Sequence, residues 1–495
     1  MTNMKRHIIY ISMTLVMALM SVITARPQAQ VERPKLVVGI VVDQMRWDYL
    51  YTYPWTGKGF NTLLTDGYRF NNTIIDYVPT VTAAGHASIY TGTTPAFHGI
   101  AGNNFMLNGK NVTSVQDDDY QAVGGNDKAR GKSPRNLITT TIGDQLLLAT
   151  QRASRIVGIA LKDRAAILPA GHNPTGAYWY DRGSKAFITS TYYTDHLPQW
   201  VQDFNATHSD LLAADVNNTP AGTTLTFAMA RQALISEGLG QGNSTDMLAI
   251  SVSNTDMCAH YHGTHSPKVD SIYWQLDKEL ASFIDLLDQR VGRDNYLLFL
   301  SADHGGTHSY PRMTQYGLPS GAWDETTARN DANSALKQQF GVDNLISASM
   351  EYTFYLNHHA IDSAGLDRQT VTDAACRALE QPDEIQWAVD VAHIANATLP
   401  AILKERIVLG YFPQRSGDIY LVPRTGVYAG HSYQAGSNHG TWSQSDSHIP
   451  LIFMGWHVTP GETSRLTHMT DIAATVCAML HIQAPNAAIG TPLLQ

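Results

Sequence analysis

Residues 36–43 read LVVGIVVD: an apolar run dominated by β-branched side chains and ended by an aspartate. A run this short, with no polar alternation, predicts a strand covered on both faces. Three more runs of the same kind follow at Met247 to Val252, Tyr296 to Leu300 and Ile449 to Met454. Amphipathic helical patterns lie between them. In Ser271 to Leu287, for instance, Ile272, Leu276, Leu280, Ile284 and Leu287 share one face. Strands alternating with helices predict an α/β fold with a mixed, largely parallel sheet sandwiched by helices. The domain is expected to run from 35 to 495. Stretches at about 165–240, rich in Tyr, Gly, Thr and Asn, and about 305–435, rich in turn residues, read as insertions building a cap over one sheet edge.

Upstream of the first strand the composition changes. Lys5, Arg6 and His7 precede an uncharged, mostly apolar stretch from Ile8 to Ala25, and a polar segment follows from Arg26 to Arg33. Residues 1–25 therefore read as a secretory signal peptide, which places the mature protein in a periplasm or outside the cell. An uncleaved anchor is the alternative. No later segment is apolar for long enough to span a bilayer, so no membrane contact is expected after cleavage. The net charge of -9 argues against a nucleic-acid-binding surface. The three cysteines, Cys258, Cys376 and Cys477, leave at least one unpaired and permit one bridge. Nothing indicates an oligomer, and a monomer is compatible with the sequence.

The chemistry is carried by acidic residues and histidines placed where strands end. Asp43 follows the first run; Asp256 and His260 follow the second in ISVSNTDMCAH; Asp303 and His304 follow the third in LFLSADHGG; His439 lies in GSNHGTW before the fourth. Ligands of open α/β sheets bind beyond the carboxyl ends of the strands, so these residues are expected to converge although they span almost 400 positions. Asp and His together suit a divalent metal of borderline softness, with zinc the leading candidate. Three of each exceed what one tetrahedral ion needs and, with an oxygen from a nucleophile, suffice for two. Singly, each has an ordinary reading as a helix cap or surface residue; the joint placement carries the inference.

A nucleophile is expected in VPTVTAAGHASIYTGTTPAFHGIAGNN, residues 78–104, where a helix is predicted to begin just after Thr82. A hydroxyl at a helix N-terminus lies in a field that favours anions and phosphate. Thr80 and Ser88 are competing hydroxyls. Asn103 and Asn104 sit in a Gly-flanked loop from which an amide can donate to a phosphoryl oxygen.

The segments VDQMRWDYL, PTVTAAGHASIYTG, HGIAGNN, TDMCAH, ADHGG and GSNHG resemble, in order and spacing, the successive motifs of the alkaline phosphatase superfamily. The resemblance is to the branch with a threonine nucleophile, shared by secreted phosphomonoesterases and nucleotide pyrophosphatase/phosphodiesterases. It implies two Zn2+ per chain, one held by Asp256, His260 and His439, the other by Asp43, Asp303, His304 and the oxygen of Thr82. It further implies a phospho-threonine intermediate on Thr82 and a phosphoryl contact from Asn103.

The segment KDRAAILPAGH places Lys162 and Arg164 two residues apart. If extended, both side chains point the same way and can fork over the extra charged oxygen of a monoester. This matches the K-x-R pair of the branch's monoesterases and implies small-molecule phosphate monoesters as substrates. A phosphodiesterase on the same core is the alternative, with Tyr178, Trp179 and Tyr180 as material for a second ester pocket. Thr82 is followed by Ala-Ala-Gly-His, so the C/S-x-P-x-R setting of a sulfatase is missing. A non-catalytic zinc or phosphate binder is disfavoured because every ligand position is filled.

Overall fold

Five strands make the middle of the main sheet: β1 (Leu36–Val42), β2 (Ile156–Ala160), β3 (Asp246–Val252), β4 (Tyr296–Ser301) and β5 (Leu451–Gly455). They lie in the order β2-β3-β1-β4-β5; the first four run parallel and β5 is antiparallel to β4. This is a computed structural model, and it describes residues 32–55, 57–430 and 436–494. The segment read as a signal peptide lies outside the described residues. From Pro34 onward the chain forms one unit.

Val and Ile fill β1, and every residue of it is buried, because strands flank it on both sides and helices cover both faces. Gly176–Asp181 extends the sheet in parallel beyond β2, and further strands at both edges, most of them paired antiparallel, complete eleven. The predicted helix is present as Pro267–Arg290, capped by the Ser266 hydroxyl on the Val269 N–H, and its five predicted face residues are all buried.

Three expectations need correction. The fourth apolar run is not one strand: His448–Ile449 pairs with Thr73–Ile74 in a separate three-stranded sheet, and β5 begins only after Pro450. Proline has no N–H for a ladder, so the chain changes sheets there. The segment after β2 is not extended at Lys162–Arg164, because Asp163–Ala170 is a helix with Lys162 at its N-cap. The aromatic run Tyr178–Tyr180 is a buried strand of the main sheet.

Helix α1 (Thr82–Thr91) is buried along its whole length. Two glycines let it close on the sheet. A Cβ at Gly39 of β1 would lie 2.3 Å from the Tyr90 hydroxyl, and one at Gly85 would lie 2.2 Å from the backbone oxygen of Asp303. The close approach fixes the start of α1 beside the ends of β1 and β4. A second, four-stranded antiparallel sheet is built from Ile346–Met350, Thr353–Leu356, Ile419–Pro423 and Ile385–Asp390 and has its own apolar cluster, including Leu336, Phe354 and Leu421. The three cysteines are free.

One polar knot ties the turn after α2 (Asp163–Ala170) to the helix Ile142–Ala149. Thr141 and Asp144 form a reciprocal capping box. The Asp144 carboxylate also receives the His172 N–H and lies 2.8 Å from His172 Nδ1, while Nε2 is 2.8 Å from the Leu137 carbonyl. Both ring nitrogens face acceptors only, a setting that favours the imidazolium form. Burial opposes the charge, but Asp144 raises His172 above its ordinary value and His172 lowers Asp144. The His172 contribution is complete below its unfolded pKa of about 6.5 and lost as pH rises through the higher folded value; that of Asp144 is lost as acid protonates it below about 3.9. His172→Gln is therefore expected to cost about 1–2 kcal/mol at pH 5.5 and clearly less at pH 9. Urea unfolding of both proteins at the two pH values checks this; an equal cost at both contradicts the charged pair.

Candidate active site

Because β1 to β4 are parallel, the residues just beyond their carboxyl ends share one edge of the sheet. Asp43 follows β1, Lys162 follows β2, Asp303 and His304 follow β4, and helix α3 (Asn254–His262), entered directly from β3, carries Asp256 and His260. Thr82, first residue of α1, faces them, and the Gly436–Gly440 loop brings His439 across. The i, i+4 spacing puts Asp256 and His260 on one face of α3, with Asp256 Oδ1 3.1 Å from His260 Nε2.

Two clusters result. In the first, Asp256 Oδ1 is 3.1 Å from His260 Nε2 and 3.6 Å from His439 Nε2. In the second, His304 Nε2 is 3.6 Å from Asp43 Oδ1, 3.5 Å from Asp303 Oδ2 and 3.4 Å from Thr82 Oγ1. The rings of His304 and His439 stack at 3.7 Å, so the clusters adjoin. Donor atoms of Asp256, His260 and His439 lie within 4.8 Å of one another, as do those of Asp43, Asp256 and His304. Asp256 thus takes part in both groups, and Asp303 Oδ2, beside His304, also lies 3.3 Å from His86 Nδ1.

The three imidazoles are oriented alike. Nδ1 of His260, His304 and His439 lies 3.0, 2.8 and 2.8 Å from the carbonyls of Ser437, Gly305 and Thr80. A carbonyl only accepts, so each Nδ1 carries the proton and each Nε2 is left to meet the carboxylates. A bare lone pair facing a carboxylate oxygen at these distances is repulsive unless a proton or cation lies between them. Asp43 Oδ1 and Asp303 Oδ2 are also buried without a hydrogen-bond partner. This donor set fits divalent cations.

Lys162 enters from the N-cap of α2. Its ammonium is 2.7 Å from Asp43 Oδ2, 2.5 Å from Asp256 Oδ2 and 3.3 Å from Thr82 Oγ1. Against the opposing effect of burial, Asp256 and Asp43 raise its pKa. Burial and then the neighbouring Asp303 push Asp43 well above its ordinary value, whereas His260 and Lys162 outweigh burial to hold Asp256 well below. Burial and then His304 draw His439 far below the usual histidine value, which keeps the ring neutral. Arg164 is the second residue of α2 and touches Asp163 at 3.7 Å; no contact among the described residues joins it to Thr82. Asp163 turns away to Lys132 at 3.0 Å.

The competing hydroxyls are engaged elsewhere: Thr80 donates to the Thr441 carbonyl at 2.9 Å, and Ser88 pairs with His98 Nε2 at 3.0 Å. Asn103 faces α1 and accepts the Ala83 N–H on Oδ1 at 2.9 Å. Three participants were not singled out from sequence. Gln44, at φ +60, donates its N–H to Asp303 and its amide to Asp256 Oδ1 at 2.8 Å, and accepts from Ser437. His86 stands between the Thr82 carbonyl and Ser251; its place four residues after Thr82 was the available signal. Glu351 reaches the Asn103 N–H from the second sheet, and no local pattern marks it.

Residues 37–446 match the family described as type I phosphodiesterase / nucleotide pyrophosphatase. The chain belongs to this family. It stands within the alkaline phosphatase superfamily. Alkaline phosphatase PafA of Elizabethkingia meningoseptica is 40% identical, with 97% of each chain covered. A Myroides odoratus protein named calcium-transporting ATPase is 41% identical over 94% of this chain and 95% of its own. The crystal structure of wild-type alkaline phosphatase PafA superposes with a TM-score of 0.89 at 41% identity, covering 94% of this chain and 99% of that one. No helix among the described residues of this family member is long and apolar enough to cross a membrane.

Proposed function

We propose that this chain is an alkaline phosphatase that hydrolyses small-molecule phosphate monoesters through a phospho-threonine on Thr82. The observation that carries the reading is the Lys162 ammonium, 3.3 Å from Thr82 Oγ1 and bridging Asp43 and Asp256. A fixed cation beside the nucleophile suits a dianionic phosphoryl group over a monoanionic diester. The aromatic residues Tyr178, Trp179 and Tyr180, which a second ester pocket would use, are buried in the sheet.

Asp256, His260 and His439 would hold one zinc ion, and Asp43, Asp303, His304 and the Thr82 oxygen the other. When bound, the two ions supply Lewis acidity that favours the threonine alkoxide and stabilises the departing ester oxygen. Thr82 Oγ1 forms a bond to phosphorus as the ester P–O bond breaks and the alcohol leaves from the opposite side. Water then cleaves the phospho-threonine, releasing inorganic phosphate and restoring the hydroxyl. Asn103 and Lys162 orient the equatorial oxygens, and Arg164 closes over the phosphoryl group. Two inversions give net retention at phosphorus. Residues 1–25 would direct the enzyme out of the cytoplasm.

The test compares kcat/KM for p-nitrophenyl phosphate and bis-p-nitrophenyl phosphate on zinc-loaded protein at alkaline pH. A strong monoester preference is expected; a diester preference overturns the reading. Replacing Lys162 and Arg164 together by alanine is expected to lower monoester kcat/KM by about a hundredfold or more and diester turnover by less than about tenfold. Equal losses would make the pair structural.

A further inference from the structure

The second sheet reaches the active site at a strained turn. Ile346–Met350 and Thr353–Leu356 form an antiparallel hairpin whose last pair is Met350 with Thr353, leaving Glu351 and Tyr352 as the turn. Both have left-handed backbones, φ +54 and +69, which usually call for Asn or Gly in a two-residue hairpin. Non-glycine residues in that region carry a steric cost, so side chains this large need a reason to be there.

Each does meet something at the catalytic edge. Both Glu351 carboxylate oxygens accept the Asn103 N–H, at 2.9 and 3.2 Å. The approach requires glycine next door, since a Cβ at Gly102 would lie 2.2 Å from Glu351 Oε2. The Tyr352 ring packs where a Cβ of Gly440 would come within 2.7 Å, beside His439, and its hydroxyl accepts the Ala429 N–H at 2.9 Å. The Tyr352 N–H is itself held by Glu325 at 2.9 Å.

We propose that Glu351 is a positioning residue that sets Asn103 for the phosphoryl group, an inference that rests on the reading of Asn103 given under Proposed function. Asn103 is gripped at both ends: its backbone N–H by Glu351, its side-chain oxygen by the Ala83 N–H of the helix that begins with Thr82. Release of the backbone lets the loop 101–104 shift, and the amide then leaves the place where it meets a phosphoryl oxygen. Burial pushes the Glu351 carboxyl up to about 7, so at alkaline pH it is ionised, and the charge-assisted bond at the backbone is then stronger than a neutral one and suits this holding task.

Two variants separate positioning from mere support of the turn. Glu351→Asn favours the left-handed backbone but is too short to reach Asn103; Glu351→Gln keeps an oxygen at full reach. Glu351→Asn is expected to lower kcat/KM for p-nitrophenyl phosphate about tenfold, and to weaken competitive inhibition by inorganic phosphate by a similar factor. Glu351→Gln is expected to recover most of both. In an Asn103→Ala background the Glu351→Asn loss is expected to fall below about twofold, because the side chain it positions is gone. Equal losses for the Asn and Gln variants, or the same loss in both backgrounds, overturn the proposal while leaving the phosphatase reading intact. If Asn103→Ala alone costs nothing, the role of Asn103 itself fails and the proposal falls with it. Should Glu351→Asn fail to fold, Glu351→Asp, equally short, takes its place in the cycle.

Discussion

Thr82→Ala is expected to lower kcat for p-nitrophenyl phosphate by about a thousandfold or more, with the fold retained. Oγ1 meets Lys162 Nζ at 3.3 Å and His304 Nε2 at 3.4 Å, so its loss removes the proposed bond-forming atom from between the cation and the imidazole. The fold has little reason to suffer. Val81, not Thr82, occupies the N-cap of α1, and the Thr82 side chain makes no capping hydrogen bond. Thr82→Ser, which restores a hydroxyl at the same reach, is expected to regain much of the lost rate. Steady-state turnover, together with acid-quench trapping of phosphorylated protein, checks both. If Thr82→Ala keeps a tenth of the activity, or if label is trapped elsewhere, the nucleophile has been misassigned.

Removal of divalent metal by a strong chelator is expected to abolish turnover, and added zinc to restore it. The donor set behind this is Asp256, His260 and His439 beside Asp43, Asp256 and His304, with each Nε2 aimed inward by a carbonyl on Nδ1. Ions held by the native state alone also stabilise it, so the stripped protein is expected to melt several degrees lower, by mass action. Asp256→Asn is expected to have a large effect on metal content, since that carboxylate takes part in both groups. Elemental analysis alongside the assay decides: full activity at well under one ion per chain sinks the two-ion reading.

Much of the sheet was legible because buried strands write themselves as uninterrupted β-branched runs. β1, β3 and β4 appear in sequence within a residue of where they stand. β2 escaped notice because Ile156–Ala160 is only five residues long and holds a glycine, and Gly176–Asp181 because its aromatic residues read as cap material. Pro450 could have warned that Ile449 and Leu451 belong to different sheets. At the site, convergence of Asp43, Asp256, Asp303 and His304 followed from strand ends, since parallel strands bring their carboxyl ends together, whereas His439 arrives on a loop ahead of β5. The partners Gln44 and Glu351 were not legible. Gln44 acts through a left-handed backbone beside Asp303, and Glu351 arrives across 248 residues from another sheet. Such long-range polar contacts leave no periodicity to read. The helical conformation of the Lys162 segment likewise overrode the extended reading, yet Lys162 still reaches Asp43 from its N-cap.

The carboxylates at the sheet edge also dictate an order of assembly. Asp43, Asp256 and Asp303 gather on one buried patch of a chain whose net charge is already -9, and Lys162 is the cation in contact with two of them. A phosphate ester, carrying close to two negative charges at neutral pH, has little to gain from such a patch. On the two-ion reading proposed above, divalent ions would reverse its sign. The ester would then be the second guest, and the folded chain a latent catalyst whose onset follows the supply of metal.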